Sequence, residues 1–202
     1  MNLRDHSKDF TDVNALWRRF LAGDTEAFDV LMTSHFRSLF QYGSKFSKDK
    51  EFVKDCIQDL FLILWEKRGN LNGDAQVRPY MMASLRRLMH RSITSKGWVG
   101  DESLEESDGT FEIEFSVEQT YIENETSLVR SEQLKQLLDE LPRRQKEVIY
   151  LRYFQEMDRN QISEVMDITP QTVSNLLQIA IKQMKKHWKV LISTLLMIQW
   201  LL

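Results

Sequence analysis

The sequence predicts an all-α protein made of two small helical domains joined by an acidic linker. Only seven Gly and three Pro occur among its 202 residues, so few positions disfavour a helix. In both halves of the chain, apolar residues recur at the three-and-four spacing of amphipathic helices. Between the halves, residues 97–128 carry ten carboxylates and no Lys or Arg, which is typical of a solvated linker.

These changes of character divide the chain into four segments. We predict a helical domain over residues 10–96, a linker over 97–130, a second helical domain over 131–189 and an apolar tail over 190–202. Within the linker, Ile113, Phe115 and Val117 alternate with acids. This alternation is compatible with a short extended segment that packs on a domain, although a solvated tether is the simpler interpretation.

The overall charge constrains any interaction with nucleic acid. The formal net charge is −3 and the isoelectric point is about 5.9. Both are unusual for a protein that holds DNA unaided, because neutralisation of phosphates dominates such binding. Any DNA binding is therefore expected to depend on a larger partner.

Several classes of protein are disfavoured. The four His are scattered without metal-ligand spacing, and the chain has no Gly-rich phosphate loop or nucleophile motif, so we expect no enzyme, cofactor or metal site. The single Cys56 cannot form an internal disulfide, and the first ten residues lack the apolar core of a signal peptide. Both features favour a cytoplasmic protein.

The first two helices are predicted by a stop signal and a cap. A helix over Asn14–Phe20 ends at Gly23, and Asp24 is placed to cap the next helix. The second helix has an apolar stripe that is expected to be buried. Its members are Ala27, Phe28, Leu31, Met32, Phe36, Leu39 and Phe40.

The third predicted helix, Glu51–Lys67, carries one leucine on its polar side. At 100° per residue, the side opposite the apolar stripe is mostly acidic. It consists of Asp55, Gln58, Asp59, Leu62 and Glu66. An apolar anchor with an acidic rim suits the docking of a basic helix. The alternative is an ordinary solvated face with one stray leucine.

The fourth predicted helix, Arg78–Ile93, carries a basic face, in contrast to the acidic face of the third. Its buried stripe is expected to contain Met81, Leu85, Leu88 and Met89. The other face and its flank carry Tyr80, Ala83, Arg86, Arg87, His90 and Arg91. Arginines beside an aromatic ring can hold unpaired nucleotides through phosphate attraction and stacking. A basic surface helix without a ligand is the alternative.

The C-terminal half predicts a helix-turn-helix. A helix over Arg143–Phe154 is expected to support the motif through Val148, Ile149, Leu151 and Tyr153. The motif itself consists of a short helix over Asn160–Met166, a tight turn at Asp167 and Ile168, and a longer helix opened by Thr169 and Pro170. Such a final helix fits a major groove. A small helical bundle without DNA is the alternative.

The last helix separates amide side chains from cations. Its leading end carries Gln171, Thr172, Ser174, Asn175 and Gln178, and its trailing end carries Lys182, Lys185, Lys186 and Lys189. Amides can pair with adenine edges, and lysines can neutralise phosphates. The lysines are equally explained by compensation of the helix dipole.

The apolar tail after Lys189 is the least explained segment. Its 13 residues, Val190–Leu202, are fewer than the roughly 20 needed to cross a membrane. It is expected to continue the last helix and pack on the domain. Docking on an inhibitory protein or on a membrane surface are the alternatives.

These parts, in this order, resemble the bacterial sigma-70 family, specifically its extracytoplasmic-function (ECF) members. The resemblance covers Leu16–Ser95 as region 2 and Ser131–Lys189 as region 4. In region 2 it is carried by Gly23-Asp24, Glu26-Ala27-Phe28, Leu31, Asp55, Gln58-Asp59, Phe61 and Leu64-Trp65-Glu66. In region 4 it is carried by Leu141-Pro142-Arg143-Arg144-Gln145, Glu147-Val148, Ile162, Ile168-Thr169 and Thr172-Val173.

The resemblance implies a sigma factor that binds core RNA polymerase and directs initiation at promoters. The Asp55–Glu66 face would dock on the β′ clamp helices, and the β flap of polymerase would be a second partner of the protein. The Tyr80–Arg91 face would hold the melted −10 element, and the Pro170–Gln178 face, with Lys182, would read the −35 element. The linker would thread toward the active-centre cleft, and an anti-sigma factor is a possible partner.

Two positions depart from the family pattern. Arg87 and Arg91 align where many relatives carry Asn and Asp, which changes the expected base contacts. Asp167 stands where relatives favour Gly, and Asp tolerates the left-handed conformation that the turn needs.

Two other functions remain compatible with the residues alone. A dimeric helix-turn-helix regulator, joined through its N-terminal helices, would bind a palindrome without polymerase. A protein-docking adaptor, using the tail and the Leu62 face, would show no dependence on DNA.

Overall fold

A computed structural model describes residues 6–95, 111–113 and 134–201, with side chains described for 13–93, 111–113 and 134–186. All regular structure within these ranges is helical, which confirms the all-α prediction. Of the predicted linker, only residues 111–113 are described. The chain forms two compact units.

Eight α-helices are described. The first unit contains α1 (His6–Leu21), α2 (Thr25–Gly43), α3 (Lys50–Lys67) and α4 (Val77–Ser95), with a 3-10 turn at Arg68–Asn70. The second unit contains residues 111–113, α5 (134–139), α6 (Arg143–Tyr153), the start of α7 (Arg159–Met166) and α8 (Pro170–Leu201). The backbone of the tail thus continues the last helix as predicted, and its side chains lie outside the described set.

Two aspartates start the central helices of the first unit. The Asp24 carboxylate accepts from the Glu26 and Ala27 amides at 3.0 and 3.1 Å, which confirms the predicted cap. Asp49 caps α3 in the same way, through Glu51 and Phe52. Each cap typically contributes about 1 kcal/mol. The Ala27 amide and the Arg19 guanidinium hold the pKa of Asp24 below its usual value.

The core of the first unit is built around aromatic rings. Trp17 and Phe20 are almost fully buried, and the Trp17 indole N–H donates to the Asn72 carbonyl at 3.0 Å. The Phe28 ring lies 5.4 Å from Phe20 and 5.0 Å from Trp65. These rings join α1, α2 and α3 into one cluster.

One member of the predicted α2 stripe is exposed. The Phe36 side chain is 41% exposed and stacks on Phe40. At 100° per residue, Phe36 lies roughly 100° from the centre of the buried side, so the buried stripe is narrower than predicted. His35 is buried instead, with Nδ1 lying 3.0 Å from the Leu31 carbonyl oxygen, and burial lowers its pKa.

The second unit is organised around α6. Val148, Ile149 and Leu151 are buried as predicted, but Tyr153 is 59% exposed and the prediction for it was wrong. Tyr150 takes its place in the core, beside Phe111 at 5.8 Å, and accepts from the Gln155 side-chain amide at 2.8 Å. Because residues 147–151 are buried on every side, a one-sided pattern misassigns this helix.

Part of the predicted linker therefore packs on the second unit. Phe111 and Ile113 are each 2% exposed. The Phe111 ring contacts Tyr150 edge-on, which supports the interpretation that apolar residues of this segment pack on a domain. Phe115 and Val117 lie outside the described residues.

Gly43 allows three helices of the first unit to approach closely. A Cβ atom at this position, the last of α2, would lie 2.7 Å from Val53 Cγ1 and 3.3 Å from Met89 Sδ. Val53 belongs to α3 and Met89 to α4. Both neighbours are buried, so neither side chain can move into solvent.

We expect Gly43→Ala to lower the free energy of unfolding by about 1 kcal/mol or more, because the added methyl group overpacks this junction. Gly69→Ala is the matched control, since no atom lies within 4 Å of its Cβ position, and it should change stability by less than about 0.5 kcal/mol. Chemical denaturation of both variants measures the difference. Equal stability of the two variants would contradict this account of the junction.

Candidate functional site

The outward side of α3 is acidic with one exposed leucine. Leu62 is 55% exposed. All the predicted members of this acidic face lie on the exposed side of the helix, namely Asp55, Gln58, Asp59, Leu62 and Glu66. Ile57, Leu60, Phe61 and Leu64 are buried on the other side, so packing of the helix fixes which residues point outward.

The charges of the acidic face are not neutralised locally. Within the part of the chain that the structure describes, Asp55, Asp59 and Glu66 form no ion pair; the pair on this helix joins Lys54 to Glu51 at 2.7 Å. An exposed leucine among uncompensated carboxylates favours a basic partner with an apolar residue.

The residues predicted for the basic face of α4 differ in exposure. Arg87 and Arg91 are exposed, whereas Arg86 and His90 are half-buried. Tyr80 is also half-buried, and its ring lies edge-on to Trp17 at 6.1 Å. The Trp17 ring therefore limits which parts of Tyr80 face solvent.

Ala83 does not lie on the basic face. The sequence places it there, but its side chain is 4% exposed. Spacing along the helix therefore does not predict the exposure of Ala83, and the accessible surface of α4 excludes it.

Polar contacts start α7, the first helix of the helix-turn-helix. Asp158 caps α7 by accepting from the Asn160 and Gln161 amides at 2.8 and 2.9 Å, and the Gln161 side chain accepts from the Asp158 amide at 2.9 Å. This reciprocal arrangement is a capping box. Sequence reasoning missed it, although Asp and Gln at this spacing are its signature.

Asp167 makes the turn between the two helices. Its φ is +54°, which places it in the left-handed region that the turn was expected to need. The Ile168 amide donates back to the Ser163 carbonyl at 3.1 Å, closing the end of α7. Thr169 Oγ1 then accepts from the Thr172 amide at 3.2 Å, so the predicted start of α8 is observed.

The leading face of α8 presents a pair of amides. Gln171, Asn175 and Gln178 are exposed, and Thr172 and Ser174 are half-buried. Gln171 Nε2 donates to Asn175 Oδ1 at 3.1 Å, one turn apart. This bond aligns the two amides and leaves the Gln171 carbonyl and the Asn175 amino group for a ligand.

The small hydroxyl side chains of this face bond within the helix end. Ser174 Oγ donates to the Pro170 carbonyl at 3.2 Å, and Thr172 Oγ1 lies 2.9 Å from Thr169 Oγ1. Lys182, Lys185 and Lys186 are exposed further along α8. The side chain of Lys189 lies outside the described set. The order of amides followed by cations is therefore present on the folded helix.

An apolar groove in the second unit was not predicted. Its volume is about 520 Å³, and α5, α6 and α8 supply its walls. It is lined by Leu134, Leu137, Leu138, Ile149, Tyr153, Phe154, Ile181, Met184 and Lys185. Tyr153 was assigned to the core by its spacing, so the periodicity identified an apolar residue without showing that it lines an open groove.

Other kinds of site find no support in the described residues. No group of three or more His, Cys, Asp or Glu within them is placed to hold a metal ion. None of the helices within these ranges is long and apolar enough to cross a membrane.

Two family models match the chain. Residues 31–99 match sigma-70 region 2, and residues 131–184 match sigma-70 region 4. A curated relative, "RNA polymerase sigma factor NccH" of Alcaligenes xylosoxydans xylosoxydans, is 34% identical over 67 residues. That alignment covers 33% of this chain and 36% of the relative.

Two solved structures share the fold. One is described as CnrH in complex with the cytosolic domain of CnrY, with a TM-score of 0.58 at 16% identity over 88% of this chain and 97% of that one. The other is the sigma factor RpoE in complex with the anti-sigma factor NepR from Bartonella quintana, with a TM-score of 0.57 at 15% identity, covering 81% of this chain and 97% of that one. At these identities the likeness concerns the fold alone.

Because Asp167 has a positive φ, we expect Asp167→Val to lower the local free energy of opening by about 1–2 kcal/mol, since a β-branched side chain is strained there. Asp167→Gly is the control and should retain or increase protection. Native-state hydrogen exchange of the Ile168 amide measures both. Equal protection in the two variants would show that the turn does not constrain the motif.

Proposed function

Because the chain belongs to the bacterial sigma-70 family, in its ECF subfamily, we propose that it binds core RNA polymerase and directs initiation at promoters with −10 and −35 elements. The observation that carries this proposal is the exposed Leu62 within uncompensated carboxylates on α3. Sigma factors regulate transcription without catalysing a reaction, so no catalytic residue is assigned.

The acidic face is proposed to dock on the β′ clamp helices. Leu62 supplies the apolar anchor, and full burial of a leucine contributes about 1.5–3 kcal/mol. Asp55, Asp59 and Glu66 surround it on the exposed side. Complementary charge at such a rim increases association rate and orients the partner more than it adds affinity.

The basic face of α4 is proposed to hold the melted −10 element. Arg87 and Arg91 are exposed and can neutralise phosphates of a single strand. Arg86, His90 and Tyr80 are half-buried, so each presents only part of its side chain. The edge-on contact with Trp17 limits the orientations of the Tyr80 ring, which favours stacking because less side-chain freedom is lost on binding.

The leading face of α8 is proposed to read the −35 element. The aligned amides of Gln171 and Asn175 suit adenine edges in a major groove. Thr172, Ser174 and Gln178 complete this face, and Lys182 is placed for phosphate contact. The net charge of −3 supports a role within holoenzyme, since the protein alone carries too little positive charge for strong DNA binding.

Two further partners are part of the proposal. The β flap would provide a second contact with polymerase, and an anti-sigma factor would control availability of the protein. Of the two solved structures of similar fold, one is a complex with an anti-sigma factor and the other is a complex with the cytosolic domain of CnrY. The family evidence favours these partners over a stand-alone palindrome-binding regulator or an adaptor without DNA.

We expect the double substitution Asp59→Arg with Leu62→Arg to abolish run-off transcription by core polymerase of the source bacterium, because it replaces the apolar anchor with a cation and reverses the charge at one position of the rim. The matched control is Asp29→Arg with Val30→Arg, an exposed acid and a half-exposed valine on α2, which should transcribe normally. Pull-down of core polymerase provides a second readout. Normal polymerase binding by the Asp59/Leu62 variant would refute docking through α3.

For the −35 contact, Gln171→Ala and Asn175→Ala should each weaken promoter discrimination by about 1–3 kcal/mol, because each removes one half of the donor–acceptor pair that the two amides present together to a base edge. Competition transcription between intact and altered −35 sequences measures this loss. Lys182→Ala is the contrasting variant, expected to weaken all promoters alike and to reduce the salt slope by about 1. Unchanged discrimination in both amide variants would contradict the proposed amide readout.

A further inference from the structure

Helix α8 extends well beyond the groove that it borders. It comprises 32 residues, which corresponds to about 48 Å at 1.5 Å per residue. Ile181 and Met184 line the groove, whereas Val190–Leu202 follows as an apolar segment without a single charged residue. The groove and the tail are therefore two apolar features on one helix.

The sequence connects these two features by a heptad pattern. Starting from the groove, six apolar residues fall at alternating spacings of three and four, and the tail carries further apolar residues off this line. The six are Ile181, Met184, Trp188, Leu191, Leu195 and Ile198. On a helix this spacing defines one continuous stripe, and its persistence is typical of a helix that pairs with another helix.

The tail cannot occupy the groove of its own chain. Helix α8 continues without interruption to Leu201, so the helix axis carries residues 190–201 away from Ile181 and Met184. Filling the groove with this tail requires a second copy of the chain.

We propose that two copies associate through antiparallel α8 helices, so that the tail of each occupies the groove of the other. The stripe is self-complementary in this arrangement. With Trp188 facing Leu191 across the two-fold axis, Met184 faces Leu195, and Ile181 faces Ile198. Each layer then pairs an a position with a d position, as antiparallel helix packing requires.

Charge selects the antiparallel orientation over the parallel one. A parallel pair would bring Lys182, Lys185, Lys186 and Lys189 of both copies together, and like charges at such distances repel. In the antiparallel pair these lysines lie opposite the uncharged residues 190–202. The exposed rings of Tyr153 and Phe154, 59% and 42% exposed, would be covered by the incoming tail.

Sedimentation of the full chain over a wide range of concentration tests association. Leu191→Asp with Leu195→Asp should raise the dimer dissociation constant at least about 100-fold, because a buried leucine contributes 1.5–3 kcal/mol and each 1.4 kcal/mol is tenfold. Ser193→Asp with Thr194→Asp adds the same charge to the same tail off the stripe and should leave the dimer intact. A wild-type chain that stays monomeric at all concentrations would overturn the proposal.

Cross-linking tests the orientation. A short bis-maleimide should join Ile181→Cys to Ile198→Cys in a mixture of the two single variants, and should join neither variant to itself. The native Cys56 is 4% exposed and can be retained. Self-cross-linking of Ile181→Cys would indicate a parallel pair and would exclude occupation of the groove.

Two further results separate this proposal from others. Binding of the tail to phosphatidylglycerol vesicles, with no dimer in solution, would assign it to a membrane surface and refute the dimer. Run-off transcription by the Leu191/Leu195 variant would show that polymerase function is independent of dimerisation, so loss of one activity does not imply loss of the other. Persistence of the dimer in that variant would also overturn the proposal.

Discussion

The packing of α3 against its neighbours determines the surface on which the proposed function depends. Ile57, Leu60 and Leu64 are buried, and a helix held along that line can present only the opposite side to solvent. The close approach at Gly43 brings α2, α3 and α4 together. A small shift of α3 at that junction would rotate Leu62 and its acidic neighbours relative to α4. The same apolar contacts that stabilise the first unit therefore orient its charged surfaces.

The helix-turn-helix of the second unit is held largely by polar contacts at helix ends. The motif is short, since α7 has only eight residues, and so few side chains are available to hold it by packing. Polar contacts at helix ends compensate for this. Asp158 and Gln161 fix the start of α7, Asp167 turns the chain, and Thr169 starts α8. The contacts of Asp158, Gln161 and Thr169 each satisfy a backbone amide at a helix start, so the residues around the turn determine where α7 and α8 begin.

Sequence alone predicted the parts of this fold that depend on regular periodicity. The acidic face of α3 lies where 100° spacing puts it, because that helix is buried on one side only. The prediction failed where burial departs from one side, as for Tyr150 and Tyr153 on α6, which is enclosed over residues 147–151. Ala83 is buried although its spacing places it among exposed residues, so spacing along one helix did not predict its exposure. The groove was missed because it depends on the spacing between three helices, which no single helix encodes.

The exposed Leu62 would ordinarily be a liability, since apolar residues on a surface promote self-association. Its acidic surroundings give a reason why it can be retained. When two copies of the chain approach through this face, carboxylate meets carboxylate, and repulsion opposes the contact before Leu62 can be buried. A basic partner meets no such barrier. The acidic residues around Leu62 thus favour binding of basic surfaces and disfavour association of two copies through this face. Any self-association must then use other surfaces of the molecule.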